Sequence, residues 1–170
     1  MKIAVLSDSH DNLKILEKFL VFCKKKKIKT IIHCGDITNS DTLNFIRENF
    51  KGEIFVSLGN ADLREEILSL KNRLSEVFIF EELGEIEIDN LKIGFCHSPD
   101  YSNELIQKKE YDFFFFGHTH KPSMKKFGNC YLVNPGNSAN SYFQPTFATL
   151  DTESKKLNLV LINKINLREN

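Results

Sequence analysis

Three times in the first half of the chain, a short and almost wholly apolar run stops at a small or polar residue and gives way to a stretch with helical spacing. KIAVLS at 2–7 precedes Leu13, Leu16, Phe19, Leu20 and Cys23; TIIHCG at 30–35 precedes Leu43, Phe45, Ile46 and Phe50; EIFVSLG at 53–59 precedes Leu63, Ile67, Leu68 and Leu74. A strand joined to a helix of this length implies a crossover, and repeated crossovers imply a mostly parallel sheet covered on both faces. After residue 76 the pattern changes to short strands. VFIF at 77–80 is followed by GEIEI at 84–88, which turns at Asp89-Asn90 into LKIGFCH as a two-residue hairpin. A helix is expected around Glu104–Lys109. The Phe113–Phe116 run is too short and too apolar for anything but a buried strand. KKFGNCYLVNPG, FATLD and KKLNLVLIN read as antiparallel strands and turns. The fold class is α/β, with either two sheets packed between helices or one large mixed sheet. At 170 residues the chain suits a single domain, expected over 1–163, with 164–170 as a frayed tail.

In open α/β sheets, ligands bind beyond the carboxyl ends of the strands, where loops converge. The polar residues at those ends are unusual here. The first strand ends in Asp8-Ser9-His10, the second in Gly35-Asp36 and the third in Gly59-Asn60-Ala61-Asp62; later strands end in His97 and in Gly117-His118-Thr119-His120. Seven imidazole, carboxylate and amide groups exceed what one tetrahedral ion can use, but they fit two ions sharing a bridge. Mixed nitrogen and oxygen donors suit Mn, Fe, Co, Ni or Zn rather than Mg or Cu(I). Such a pair supports hydrolysis at phosphorus.

Taken singly, these residues have plainer explanations. Asp8 and Ser9 suit a helix N-cap, Gly35-Asp36 and Gly59-Asn60 are common turn dipeptides, and a lone His97 is more often a turn residue than a ligand. The metal reading prevails only jointly. His33 lies within a strand and is read as structural. Cys34 and Cys96 adjoin candidate ligands, yet strand alternation turns Cys96 away from the side His97 faces, so both, with Cys23 and Cys130, are read as buried thiols. Lys24–Lys27 reads as a solvated helix end complementing the dipole.

Charge narrows the partners. Lys plus Arg and Asp plus Glu are each 23, and a neutral chain is a poor match for nucleic acid or an anionic membrane as main partner. No run approaches the ~18 apolar residues of a membrane span, and the scattered cysteines show no framework. A cytoplasmic location is expected, with homo-oligomerisation left open.

Through Asp8-Ser9-His10, Gly35-Asp36, Gly59-Asn60, His97 and Gly117-His118-Thr119-His120, in that order, the chain resembles the calcineurin-like metallophosphoesterases; Asn134-Pro135-Gly136 is similar to their small single-domain phosphodiesterase branch. The resemblance implies a four-layer αββα sandwich of two mixed sheets flanked by helices. It further implies that Asp8, His10, Asp36 and His120 hold one ion and that Asp36, Asn60, His97 and His118 hold the second, with Asp36 as bridge. His118 and His120 must then be splayed by a turn at the glycine. Asp36, Asn60 and His97 are expected to carry catalysis, in which a hydroxide bridging two divalent transition ions attacks a small phosphodiester with no covalent enzyme intermediate. Mn2+ is the first choice, with Ni2+, Co2+, Fe and Zn2+ as alternatives. Asn12, Asp62 and Asn137 are expected to touch substrate.

Two positions depart from the family pattern. Ala61 stands where many members carry a histidine thought to protonate the leaving group, so diesters, or monoesters with good leaving groups, are expected. Ser98 and Pro99 stand where the branch usually has glycine, so that loop is expected to be reshaped. The alternative functions are a protein-binding scaffold of the same fold, which degraded ligands or a broad apolar patch would mark, and a phosphomonoesterase.

Overall fold

A computed structural model describes residues 1–166. The first strands are β1 (Lys2–Leu6), β2 (Thr30–Cys34), β3 (Glu53–Ser57) and β4 (Val77–Phe80), joined by helices α1 (Leu13–Lys25), α2 (Ser40–Asn49) and α3 (Arg64–Leu68). These four strands are parallel. They are extended by β10 (Thr146–Asp151), antiparallel to β1, and by β11 (Lys156–Leu161), antiparallel to β10 at the edge. The resulting six-stranded order is β11-β10-β1-β2-β3-β4. The second sheet, ordered β5-β6-β7-β9-β8, contains β5 (Gly84–Ile88), β6 (Leu91–Phe95), β7 (Phe113–Phe115), β8 (Ser123–Phe127) and β9 (Cys130–Asn134), with α4 (Pro99–Lys108) crossing between β6 and β7.

Strand alternation builds the layers. Ala4, Leu6, Ile31, Ile54 and Val56 face one way and pack on Leu16, Phe19 and Leu20 of α1 and on Leu43 and Ile46 of α2. Ile3, Val5, Ile32 and Phe55 face the other way and meet Ile93, Phe95, Phe113, Phe115 and Val133 of the second sheet. The phenylalanine run splits in the same manner: Phe113 and Phe115 fill the space between sheets, while Phe114 and Phe116 lie under Leu105 and Ile106 of α4. Only a strand covered on both faces has room for four consecutive aromatics. The two sheets and their flanking helices form the αββα sandwich, so the one-sheet alternative does not hold.

The helices differ in detail from the spacing. α3 ends at Leu68 rather than running to Leu74, because turns carry the chain onward and Asn72 and Glu76 take left-handed φ values of 66° and 60°. Leu70 and Leu74 still pack against the core, so apolar spacing persisted without a helix beneath it. α4 starts at Pro99, earlier than the apolar pattern indicates: the Ser98 side chain caps Tyr101 N and proline occupies the first turn. The reshaping expected from Ser98 and Pro99 is therefore a helix start. The Asp89-Asn90 turn is as read, with φ of 51° and 61°, the left-handed pair of a type I′ hairpin. At the C-terminus a 3-10 turn runs Ile162–Lys164, and Ile165 packs against the helix-side core. The expected tail therefore starts in packed chain, and its last four residues, 167–170, lie outside the described residues.

Close approach at the strand ends depends on glycine. A Cβ on Gly59 would lie 2.1 Å from Asp36 Oδ1 and 2.6 Å from Asp36 N. Gly128, in the β8–β9 turn at φ +58°, has nothing within 4 Å of a built Cβ. Gly59→Ala is expected to cost about 3 kcal/mol by overpacking, and Gly128→Ala only about 1 kcal/mol of left-handed strain. Urea denaturation in the presence of chelator measures both; equal losses would show that the approach at Gly59 is not tight.

Candidate metal centre

The loops after β1, β2, β3, β6 and β7 open on the same edge of the sandwich. They are laced by backbone bonds: Asp8 N donates to Gly35 O at 2.9 Å, His10 N to Asp36 O at 3.0 Å, and Gly117 N to His97 O at 3.1 Å. Ser7 Oγ adds a bond to Cys34 O at 2.9 Å. Lacing of this density requires unusual backbone angles, and Asp8, His10, Asp36, His118 and His120 all have positive φ, between 42° and 71°. Left-handed residues other than glycine are uncommon, and clusters of them mark functional loops.

All seven candidate ligands converge, in two groups that meet at Asp36. Asp8, His10, Asp36 and His120 each offer a ligand atom within 4.8 Å of the others. In this group His10 Nε2 and His120 Nε2 stand 3.3 Å apart, and His120 Nε2 is 3.3 Å from Asp8 Oδ1. In the second group Asn60 Oδ1 lies 3.0 Å from His97 Nε2 and 2.9 Å from His118 Nδ1, and those two nitrogens are 3.3 Å apart. Asp36 Oδ2 lies between the groups, 3.6 Å from His10 Nε2 and 3.4 Å from His97 Nε2. Strand β7 ends at Phe115, and the left-handed backbone beyond Gly117 sends His118 to one group and His120 to the other.

The donor chemistry fits cations. His97 Nδ1 lies 2.8 Å from the Cys34 carbonyl, which can only accept, so the ring hydrogen sits on Nδ1. In the neutral ring Nε2 is then a lone pair facing Asn60 Oδ1 and Asp36 Oδ2, a set of acceptors whose chemistry suits a cation. A proton on Nε2 answers the same demand as a cation, and the pKa directions follow that protonated form. Burial pushes Asp8, with no exposed surface, up to about 6, against the pull of Ser7 and His97. Burial also acts to raise Asp36, but the His97 bond and charge and the Ala61 N–H outweigh it and hold the carboxyl below its usual range. His97 is correspondingly raised: burial opposes its charge, and the neighbouring Asp36 overcomes it. Burial lowers His120, and it drives the fully enclosed His33 down to about 3, so that His33 is neutral.

A family model, the calcineurin-like phosphoesterase superfamily domain, matches residues 1–155. The chain belongs to this superfamily. Its members are metallophosphoesterases, and the chain is a hydrolase of that kind. It is 30% identical over 169 residues to a phosphodiesterase of Methanocaldococcus jannaschii, covering 95% of this chain and 99% of the relative. Among solved structures, one of a novel archaeal phosphodiesterase superposes with a TM-score of 0.86 at 29% identity, over 95% of this chain and 99% of that one. Vps29 from Entamoeba histolytica, complexed with zinc, superposes at 0.69 with 22% identity, over 94% and 90% of the two chains, which is a likeness of fold.

The three residues expected to touch substrate brace the loops in this calcineurin-like fold. Asp62 accepts from Gly59 N at 2.6 Å, Thr38 N at 2.7 Å and Asp36 N at 3.1 Å. Asn137 is fully buried, bonding His120 O and Phe143 O through Nδ2 and Ala139 N and Ser141 N through Oδ1. Asn12 caps α1 and donates to Ala139 O at 2.7 Å. Their hydrogen-bonding atoms serve the loops that carry the ligands; a carboxylate or amide placed at a turn satisfies backbone N–H groups before it is available to a ligand. Ala61 stands out in the sequence only for the histidine it lacks, not for its N–H, which donates to Asp36 Oδ1 at 2.8 Å, and nothing there marks Ser141, whose hydroxyl lies 3.2 Å from His120 Nδ1. Neither carries a side-chain signal that links it to a distant loop. Cys34 and Cys96 are buried, and all four cysteines are free.

Beside Asn60, His97 and His118 a cleft of about 530 Å³ opens, bounded by Arg64, Glu81 and Tyr101. Arg64 is paired with Glu81 at 3.2 Å.

Burying an ionised Asp8 has a stability cost that can be measured. Its folded pKa of about 6 exceeds the unfolded 3.8; the shift favours folding below pH 4, and that advantage is lost as pH rises through 6. In chelator at pH 7.5, Asp8→Asn is therefore expected to be more stable than the native chain by about 3 kcal/mol, with the difference closing towards pH 4. Denaturant melts at the two pH values test this; a variant less stable at both would show that the carboxylate is not strained.

Proposed function

We propose that the chain is a phosphodiesterase holding two divalent transition-metal ions, with Asp36 shared between them. The observation that carries this is the position of Asp36 Oδ2, within 3.6 Å of a nitrogen from each histidine group. Asp8, His10 and His120 complete one ion's ligands, and Asn60, His97 and His118 the other's. Mn2+ is the first choice, because histidine nitrogens mixed with carboxylate and amide oxygens suit it and its transition-metal neighbours. When bound, the ions supply Lewis acidity for deprotonating water and neutralising charge on a phosphoryl group.

The protein's own contribution is placement. The Cys34 carbonyl fixes the His97 ring hydrogen on Nδ1, which leaves Nε2 for an ion, and the Ala61 N–H helps hold Asp36 ionised. Ala61 offers no side-chain acid at its place, so substrates whose leaving group needs little protonation are favoured, which supports diesters over monoesters; a positioned acid is typically worth ~10² to 10⁴ in rate. The adjacent cleft lies within the usual ~300–1,000 Å³ of small-molecule sites. Its arginine is already neutralised by Glu81, which supports a small diester rather than an extended nucleic acid. The free, buried thiols support a cytoplasmic location. Among the described residues no helix is long and apolar enough to cross a membrane.

Asp36→Asn tests the reading. Metal analysis of protein purified without chelator is expected to show ions in the native chain and loss of both in the variant. Hydrolysis of bis-nitrophenyl phosphate is expected to fall to the uncatalysed rate. Native turnover in a folded variant would refute the shared carboxylate, and a native chain that binds no divalent ion would leave only a protein-binding scaffold.

A further inference from the structure

His33 is the one histidine of the five that the two ligand groups leave out. It is fully enclosed in β2 and, by strand alternation, shares the helix-facing side with Ile31. An apolar side chain would be the ordinary occupant of that layer. Its two nitrogens differ sharply: Nε2 lies 3.0 Å from Ser9 Oγ, whereas Nδ1 is buried with no hydrogen-bond partner. Hydrogen on Nδ1 would leave a buried donor unsatisfied, whereas a bare lone pair there is the smaller loss. The ring hydrogen therefore belongs on Nε2 and is donated to Ser9 Oγ. The Ser9 hydroxyl is then free to donate in turn to the Asp36 carbonyl at 3.4 Å.

This relay joins the places the metal reading depends on. Ser9 stands between the ligands Asp8 and His10, in a turn where residues 8, 10 and 11 have φ of 53°, 42° and 55°. Such a turn persists only where surrounding contacts over-determine it. The Asp36 carbonyl that ends the relay also accepts from His10 N at 3.0 Å, so the same atoms fix both the Asp8–His10 turn and the loop of the shared carboxylate.

We propose that His33 and Ser9 are positioning residues: the hydrogen-bond relay from His33 through Ser9 to the Asp36 carbonyl sets the Asp8–His10 turn for ion uptake. The proposal rests on the two-ion reading and adds a function to a residue that does not touch the ions. Groups of this kind, one step behind the ligands, typically change metal affinity by ~10 to 100-fold when removed.

The test is Mn2+ titration calorimetry on chelator-stripped protein, with a thermal melt of each stripped variant alongside. Ser9→Ala and His33→Leu are expected to weaken the ion on the Asp8, His10 and His120 side by ~10 to 100-fold and the other ion less. His33→Gln, whose amide nitrogen can take the place of Nε2, is expected to recover most of the affinity. The double variant Ser9→Ala/His33→Leu is expected to be no weaker than the weaker single, because both cut one relay. Native affinity in Ser9→Ala, or a lowered melting temperature with unchanged affinity in every variant, would reduce the pair to a packing role and overturn the proposal while leaving the two-ion reading intact. Losses that add in the double variant would also overturn it. Should His33→Leu not fold, Ser9→Ala and His33→Gln decide the matter. A native chain that takes up no Mn2+ would sink the two-ion reading and this proposal together.

Discussion

A carboxylate can be held ionised inside a protein only if opposite charge or donors reach it, and the site is arranged around meeting that demand at Asp36. One of its oxygens takes the Ala61 N–H and the other faces histidines from two separate loops. Asp62, itself buried, receives the N–H groups of Asp36 and Thr38, which keeps the loop from collapsing onto its own carboxylate. Nearby, Asp8 is buried with weaker compensation and its pKa rises instead. The two acids thus show the two directions open to a buried carboxyl, lowered by compensation or raised by burial, within one pocket.

Holding these groups in place determines much of the surrounding fold. The parallel strands deliver their carboxyl ends to one edge, and loops between strands and helices leave there without room for regular turns. The backbone therefore runs left-handed at five of the seven candidate ligands, and glycines at 35, 59 and 117 allow the loops to touch. The strain is held by the layered core beneath, where β1, β2 and β3 are covered by helices on one side and the second sheet on the other. A stiff sheet and strained loops are complementary requirements here, because a mobile scaffold would relax the loops and separate the ligands.

Much of this was legible in the residues. The alternation of apolar runs and helical spacing gave the strands and crossovers, since burial on both faces leaves an unmistakable mark on composition. The Asp89-Asn90 hairpin was legible because those residues tolerate left-handed φ and little else competes for the turn. The candidate ligand set was visible as polar residues at strand ends, although any one of them alone would have passed for a cap or a turn. Helix limits were less so: the spacing Leu63 to Leu74 suits a helix, yet irregular turns bury Leu70 and Leu74 as well. The start of α4 at Pro99, capped by Ser98, was hidden because a cap and a proline look the same in a reshaped loop.

Sequence by itself determined most element types, the strands buried on both faces and the identity of the candidate ligands, because these follow from side-chain chemistry and from periodicities of two and three to four residues. Only the tertiary structure decided which polar residues face the centre and which brace it. Asn12, Asp62 and Asn137 carry the same oxygens and nitrogens as the ligands, and Asp62 lies two residues from Asn60. Their separation into braces and ligands depends on which backbone N–H groups happen to lie within reach, and that is fixed by contacts between loops distant in sequence, such as Asp36 with Ala61 and Ser9 with His33. Hydrogen bonding is short-ranged and directional, so no local pattern in the chain can encode those partners in advance.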